Sequence, residues 1–342
     1  MYSDDGKEVF GMTKKQSDIL QYIAVLSVPL FSLVLIILRS ALLFRDYNAG
    51  SGYYTGQTGL LSAVTAVLVV VLVLLLLPAI ALRRDLHMAR TGSLPVMFGS
   101  AFFAFVLVAG AVATVISLPG VENRYVLFFA LAATLFALGY AVYMALSLPG
   151  REPRGSARGF LSLCGAFGAL FAAMLLYFDD TTQMNHPLKA FQLLSFLALA
   201  LFCLSEGRHM LSRTVPGLHF YVTAAAVLLT GSAAVPDLLY GIVHNTTPML
   251  SGVLDFTLLA AFFYTLSRLL QFLPHDAPRM HPLISLLWKT EEESEAEEEA
   301  EEAEVKPAAE IPAEPAEQAP AEEEAVPMGA LPTEEPRTDA DA

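Results

Sequence analysis

Residues 60–82, LLSAVTAVLVVVLVLLLLPAIAL, hold no charged residue and only two hydroxyl side chains. An α-helix needs about 20 apolar residues to cross a hydrocarbon core of about 30 Å, so this stretch predicts a membrane-spanning helix. Seven further stretches along the chain are also long and predominantly apolar. We expect spans at residues 19–44, 60–82, 96–118, 125–148, 160–178, 187–204, 218–243 and 249–272, of which the sixth is the shortest.

The composition of the whole chain agrees with this pattern. Of its 342 residues, 55% are hydrophobic and 16% are charged, which is too apolar for a soluble protein of this length. The predicted fold class is therefore all-α, a polytopic transmembrane helix bundle of about eight spans. The expected parts are an N-terminal segment at 1–18, the bundle at 19–273, a juxtamembrane segment at 274–290 and a tail at 291–342.

The tail carries nearly all of the negative charge. Residues 291–342 contain 2 Lys and Arg against 20 Asp and Glu, whereas residues 1–290 contain 18 against 14. Rich in Glu, Ala and Pro, the tail has almost no side chain that could build a core, which predicts disorder. Its charge suits a basic protein partner in the cytoplasm, and no nucleic acid partner is expected.

The basic residues before the tail indicate an orientation in the membrane. Short cytoplasmic loops are enriched in Lys and Arg. Here these residues gather in the N-terminal segment and in the second, fourth and sixth loops, so we expect both termini to be cytoplasmic. The residues are Lys7, Lys14, Lys15, Arg83, Arg84, Arg90, Arg151, Arg154, Arg158, Arg208 and Arg213. The general pattern resembles small multispan bacterial proteins of unassigned role, which implies a bacterial plasma membrane.

Polar residues inside the spans are the candidates for a functional site, because ionisable groups are expensive in a bilayer. Spans 7 and 8 predict a polar seam, and the outer ends of several helices predict a charge cluster. The alternatives are ordinary close packing of a small-residue face and side chains that reach the interface one by one. The seam residues are Thr223, Thr230, Asp237, Ser251 and Asp255, and the cluster residues are Arg39, Asp179 and Asp180.

Other residues favour structural roles. Small side chains at four-residue spacing on spans 4 and 5 predict a tight helix pair. Span 2 offers no visible packing face and is expected to face lipid, while Glu206 at the end of span 6 is expected to belong to a solvated helix terminus. The residues of the helix pair are Ala133, Ala137, Ala141, Gly165, Ala169 and Ala173.

No pattern for enzyme chemistry is found. The two cysteines lie in apolar runs, and the seven histidines form neither a facing pair for haem nor a His-Glu-x-x-His metal motif. We therefore expect no metal, no cofactor and no catalytic residue. The favoured hypothesis is a non-enzymatic membrane sensor or scaffold whose acidic tail binds a partner. The alternative is a small transporter or channel that uses the seam of spans 7 and 8.

Overall fold

The computed structural model describes residues 14–48, 52–55, 59–82, 94–147, 156–179, 186–211, 215–244 and 249–273. Within these residues the chain forms eight long α-helices, a 3₁₀ turn at Leu118–Gly120 and a two-stranded antiparallel hairpin. The strands are β1 (Tyr47–Asn48) and β2 (Tyr53–Tyr54). The helices are α1 (Lys14–Asp46), α2 (Gly59–Ala81), α3 (Leu94–Ser117), α4 (Arg124–Ser147), α5 (Ser156–Phe178), α6 (Pro187–Met210), α7 (Pro216–His244) and α8 (Met249–Leu270).

All eight helices are long and apolar enough to cross a membrane. The predicted fold class, a transmembrane helix bundle of about eight spans, is confirmed. The chain is a multi-pass membrane protein. The predicted tail at 291–342 and juxtamembrane segment at 274–290 lie outside the described residues, as does most of the N-terminal segment.

The helices of the bundle end on two opposite sides, which we name the terminal side and the far side. The terminal side holds the start of α1 and the end of α8, which are joined by a hydrogen bond of 2.6 Å from Gln21 Nε2 to the Phe272 carbonyl oxygen. The far side holds the β1–β2 hairpin between α1 and α2. Because short connections force successive helices to alternate in direction, α6 and α8 begin on the far side and α7 ends there.

Helix α7 is the centre of the bundle and the most deeply buried of the eight helices. Helices α3 to α8 pack in sequence, α8 closes back on α3, and α1 packs along α7, with α2 against both. Small residues on α7 let so many helices approach. A Cβ at Gly231 would lie 2.8 Å from the ring of Phe262 on α8 and 2.9 Å from Ser32 Oγ on α1.

Two expectations from the sequence are wrong in detail. Helix α2 does not face lipid all round: one stripe is buried against α1 and α7. In a helix made of Leu and Val throughout, no polar face marks which stripe is buried, so periodicity could not reveal it. Span 6 continues past residue 204 to Met210, because Ser205 and Glu206 find polar partners inside the bundle. The buried stripe of α2 consists of Val64, Leu68, Val71, Leu75 and Ala79.

The small residues on α4 and α5 lie where the sequence placed them, on two helices that pack along their lengths. Ala141, Ala169 and Ala173 are buried in the core that these helices share. Ala133, Ala137, Gly165 and Ala169 also line a mostly apolar cavity of about 70 Å³ between α3, α4, α5, α6 and α8. The small side chains thus bring the helices close and leave a void between them.

We predict that Gly165→Ala destabilises the protein by about 1 to 3 kcal/mol, the usual cost of overpacking. The new Cβ would lie 2.7 Å from the ring of Tyr140 and 2.9 Å from Cys203 Sγ, and the hydroxyl of Tyr140 is itself held by Glu206. Thermal unfolding in detergent measures the effect. Gly59→Ala is the matched control, because no atom lies within 4 Å of its new Cβ. Equal losses at both glycines would contradict the packing described here.

Candidate functional site

The far-side third of the bundle contains a buried charged group built around Arg39. The guanidinium of this α1 residue is fully buried and forms a two-pronged ion pair with Asp237 on α7, with Nη2 at 2.8 and 3.1 Å from the two carboxylate oxygens. The face of the guanidinium lies 4.3 Å from the ring centroid of Phe191 on α6. Arg39 therefore joins three helices at one point.

The local sequence of α7 explains why the guanidinium sits there. Pro236 lies inside the helix and has no N–H, so the carbonyl four residues earlier, at Ser232, loses its helical partner. Nη1 of Arg39 donates to this Ser232 oxygen and, at 2.8 Å, to the Ala233 oxygen. An unsatisfied carbonyl costs several kcal/mol in a membrane, and the arginine removes that cost.

A second carboxyl group lies next to the ion pair. Asp255 on α8 is 2% exposed and accepts a hydrogen bond of 2.6 Å from Gln192 Nε2 on α6. It is within electrostatic reach of both Asp237 and Arg39. We name Arg39, Asp237, Asp255 and Gln192 the carboxyl-pair site.

Charge does not balance in this site. Its two carboxyl groups face one guanidinium, which already makes its ion pair with Asp237. The buried Lys189 lies nearby on α6, but its ammonium donates to the Asp179 carbonyl oxygen at 2.8 Å, toward the end of α5. A buried carboxylate without a countercharge is costly at membrane depth, so the site is neutral only when it has taken up one positive charge.

Aromatic residues lie beside the Arg39–Asp237 ion pair on the far side. Tyr47 of β1 forms a 2.8 Å hydrogen bond with His186 Nε2 just before α6, and its ring packs edge-on against Tyr240 of α7 and Tyr54 of β2. The buried hydroxyl of Tyr54 approaches the Arg39 guanidinium without reaching hydrogen-bonding geometry. We name Tyr47, Tyr54, His186 and Tyr240 the aromatic cap.

Burial changes the acidity of the cap residues outside the spans. It raises the pKa of Tyr54 to about 12, although the positive charge of Arg39 acts in the opposite direction. It also raises the pKa of Tyr47, with smaller contributions from Tyr240 and Asp237. For His186, burial and the nearby Lys189 ammonium lower the pKa below its ordinary value of 6.5. Near neutral pH Tyr47, Tyr54 and His186 are therefore uncharged.

The predicted polar seam is divided by the structure. Asp237 of α7 and Asp255 of α8 interact electrostatically. Their hydrogen bonds, however, join them to other helices, Asp237 to Arg39 of α1 and Asp255 to Gln192 of α6. Thr223 and Thr230 are buried and donate to carbonyls of their own helix, at His219 and Ala226, so they serve as packing residues. Ser251 lies one turn before Asp255 and is half-buried.

The predicted outer charge cluster is also divided. Arg39 bonds to Asp237 and to two α7 carbonyls. The backbone oxygen of Asp179 accepts the Lys189 hydrogen bond at the end of α5. Asp180 lies outside the described residues. Arg39 therefore belongs to the carboxyl-pair site, and the predicted cluster with Asp179 and Asp180 stays a prediction.

A polar network on the terminal side was missed by the sequence analysis. Glu206, expected in a solvated terminus, is 1% exposed and forms a 2.8 Å ion pair with Arg268 of α8. Its carboxylate also accepts hydrogen bonds from the hydroxyls of Tyr140, at 2.9 Å, and Tyr264. This network is balanced in charge, which suits a fixed closure. Its sequence signals were Tyr140, Tyr264 and the charged Arg268 within predicted apolar spans.

Metal-ligating clusters were also sought in the part of the chain that the structure describes. There, no group of three or more His, Cys, Asp or Glu side chains could hold a metal ion. The carboxyl-pair site offers two carboxyl groups and one amide, a set that can accept a proton or a weakly held monovalent cation.

We predict that Arg39→Gln destabilises the protein by about 3 to 5 kcal/mol, because it leaves a buried carboxylate unpaired and the Ser232 carbonyl unsatisfied. Arg45→Gln is the matched control. The Arg45 side chain is 80% exposed, and its contact with Asp46 is 3.6 Å long, so we expect a change within about 0.5 kcal/mol. Thermal unfolding in detergent compares the two. Similar losses for both variants would contradict the anchoring role of Arg39.

The comparisons with known proteins identify no relative. No protein-family model, no curated protein and no solved structure matches the chain. The functional argument therefore depends on the geometry of the carboxyl-pair site.

Proposed function

We propose that the protein is a small cation-coupled membrane transporter in which Asp255 takes up a proton or a monovalent metal ion. The observation that carries this proposal is the pair of buried carboxyl groups beside one guanidinium in the far-side third of the bundle. A carboxyl group that must acquire a positive charge inside a membrane protein is the chemistry that proton- and sodium-coupled transport requires.

A purely structural role explains Asp237 but not Asp255. The Arg39–Asp237 pair by itself satisfies the free carbonyl at the Pro236 break and fastens α1 to α7. Adding Asp255 at the same depth brings a further desolvation cost without a further cation. A group that costs stability and adds no obvious support is a reasonable site for function.

The architecture around the site also supports transport. Proline interrupts α7 next to the site, and interrupted helices near charged groups are common at the binding sites of transporters. On the terminal side, the Glu206–Arg268 network closes the bundle with charge-assisted hydrogen bonds. The site is thus nearer to the far side, which faces the exterior in the orientation that the Lys and Arg residues predict.

No enzymatic activity is part of this proposal. The sensor or scaffold hypothesis, with a basic partner for the acidic tail, stays a prediction from the sequence, since the tail lies outside the described residues. Transport is preferred because its site belongs to the part of the chain that the structure describes.

We predict that Asp255→Asn abolishes cation flux through the protein in liposomes. A potassium gradient with valinomycin sets the membrane potential, an internal pH dye reports proton entry, and ²²Na⁺ uptake reports sodium entry. The neutral amide fills the same space but cannot exchange a proton or balance a cation, so flux should fall to that of protein-free liposomes.

The matched control is Glu122→Gln, which makes the same chemical change at an exposed residue before α4. Its flux should equal that of the wild-type protein. If Asp255→Asn loses proton flux alone, the protein is proton-coupled. If Asp255→Asn loses sodium uptake, it is sodium-coupled. Wild-type flux in Asp255→Asn, or no flux of either ion through the wild-type protein, would contradict the proposal.

A further inference from the structure

We propose that the aromatic cap is a gate over the carboxyl-pair site, held closed by the hydrogen bond between Tyr47 and His186. This inference rests on the proposed function, because it assigns the regulation of access to the same site. It adds a moving part, a closing contact and a direction in which pH acts on it.

The cap lies between the site and the far side. The hydroxyl of Tyr54 is buried beside Arg39, and the charges of Arg39 and Asp237 both act on it. Tyr47 also senses Asp237 and packs with a ring-centroid separation of 5.2 Å on Tyr240, one turn after Asp237 on α7. A cation that enters from the far side past the hairpin would therefore meet these rings before it reaches Asp237.

The attachment of the cap is weak enough to open. The strands carrying Tyr47 and Tyr54 are two residues long each, and an isolated two-stranded hairpin has little stability of its own in water. Ring contacts and the 2.8 Å Tyr47–His186 bond hold it against α6 and α7. Because one neutral hydrogen bond contributes only about 1 kcal/mol, its loss shifts the balance between closed and open without unfolding the bundle.

Within the part of the chain that the structure describes, three buried polar atoms at the cap lack a hydrogen bond in the closed state. They are Arg39 Nε, the Tyr54 hydroxyl and His186 Nδ1. Buried unsatisfied polar atoms are disfavoured, and opening the cap would let water or an entering ion reach them. The closed state therefore carries a local cost that opening relieves.

The contact around His186 gives the gate a response to acid. The groups that face it are the Tyr47 hydroxyl from the hairpin and the Lys189 ammonium from α6. Behind Tyr47, the ring of Tyr240 on α7 packs edge-on against it and stacks on His244 of the same helix. Burial and Lys189 lower the pKa of His186 in the closed cap below 6.5. Since the open state binds the proton more readily, the closed state is favoured above about pH 6.5 and loses stability as the pH falls below that value.

The close approach at the turn supplies a second way to open the gate. Gly52 has a φ of +73°, and a Cβ there would lie 3.1 Å from the His186 ring. Gly52→Ala therefore combines an unfavourable backbone conformation with a clash at the closing contact. It disturbs the cap while leaving every polar side chain in place.

The test measures how fast a charged, water-soluble methanethiosulfonate reagent modifies a reporter cysteine in Asp255→Cys, with the protein in detergent and the modified position identified by mass spectrometry. Native Cys164 and Cys203 then do not interfere. Reaction should be slow with an intact cap. Adding Tyr47→Phe or Gly52→Ala should accelerate it about fivefold to tenfold, the change expected for loss of one hydrogen bond.

Tyr177→Phe is the matched control, since Tyr177 is exposed at the far-side end of α5 and does not belong to the cap. It should leave the rate unchanged. Equal rates with and without Tyr47→Phe and Gly52→Ala, or a reporter that reacts rapidly with the cap intact, would overturn the gate.

Acid sensitivity is tested by comparing the reporter with a version that also carries His186→Gln. Lowering the pH from about 7.5 to about 5.5 should raise the relative accessibility of the reporter only when His186 is present, because glutamine does not titrate. Both versions share the thiol, so its own ionisation cancels in the ratio. An equal acid response in both would overturn the role of His186.

The readout does not depend on transport. If the cap opens as expected but Asp255→Asn leaves cation flux unchanged, the proposed function is rejected and the gate is kept. If Asp255→Asn abolishes flux but the cap variants do not change the reaction rate of the reporter, only the gate is rejected.

Discussion

The bond between Arg39 and the broken segment of α7 is the constraint on which the rest of the bundle depends. A proline within the most deeply buried helix leaves a carbonyl without a helical partner, and no water from the bilayer core can supply one. The guanidinium of α1 satisfies that carbonyl and pairs with Asp237 one residue after the proline. Because α1, α6 and α7 all meet there, this one interaction fixes where the polar part of the protein lies.

The two buried polar groups of the bundle differ in a way that suggests different roles. On the terminal side, one carboxylate, one guanidinium and two tyrosine hydroxyls satisfy one another, which favours a fixed contact. On the far side, two buried carboxyl groups lie with one guanidinium among the described residues, and the β1–β2 hairpin lies beside that guanidinium. A membrane protein that admits a cation from one side needs this asymmetry, with a firm closure at one end and a displaceable cover at the other.

Much of the fold could be predicted from the sequence, because span length and apolar composition are local properties. Residues such as Asp237 and Asp255 could also be singled out, since a charge inside an apolar run stands out in one dimension. Their partners could not. Arg39 reaches a carbonyl 193 residues away, and Glu206 bonds to a tyrosine of α4 and to a tyrosine and an arginine of α8. These pairings depend on helix rotation and on the order of packing. The buried stripe of α2 was hidden for a related reason, because a uniform run of Leu and Val has no polar face.

Infrared spectroscopy of the carboxyl groups tests the central claim most directly, which is that Asp255 takes up a positive charge. Difference spectra of purified protein would be recorded as sodium is added at constant pH, and again in heavy water. The account predicts either the band of a protonated, buried carboxyl group or a sodium-induced change in a carboxylate band, present in the wild-type protein and missing in Asp255→Asn. Spectra in which the wild-type protein and Asp255→Asn show no difference in either band would contradict it.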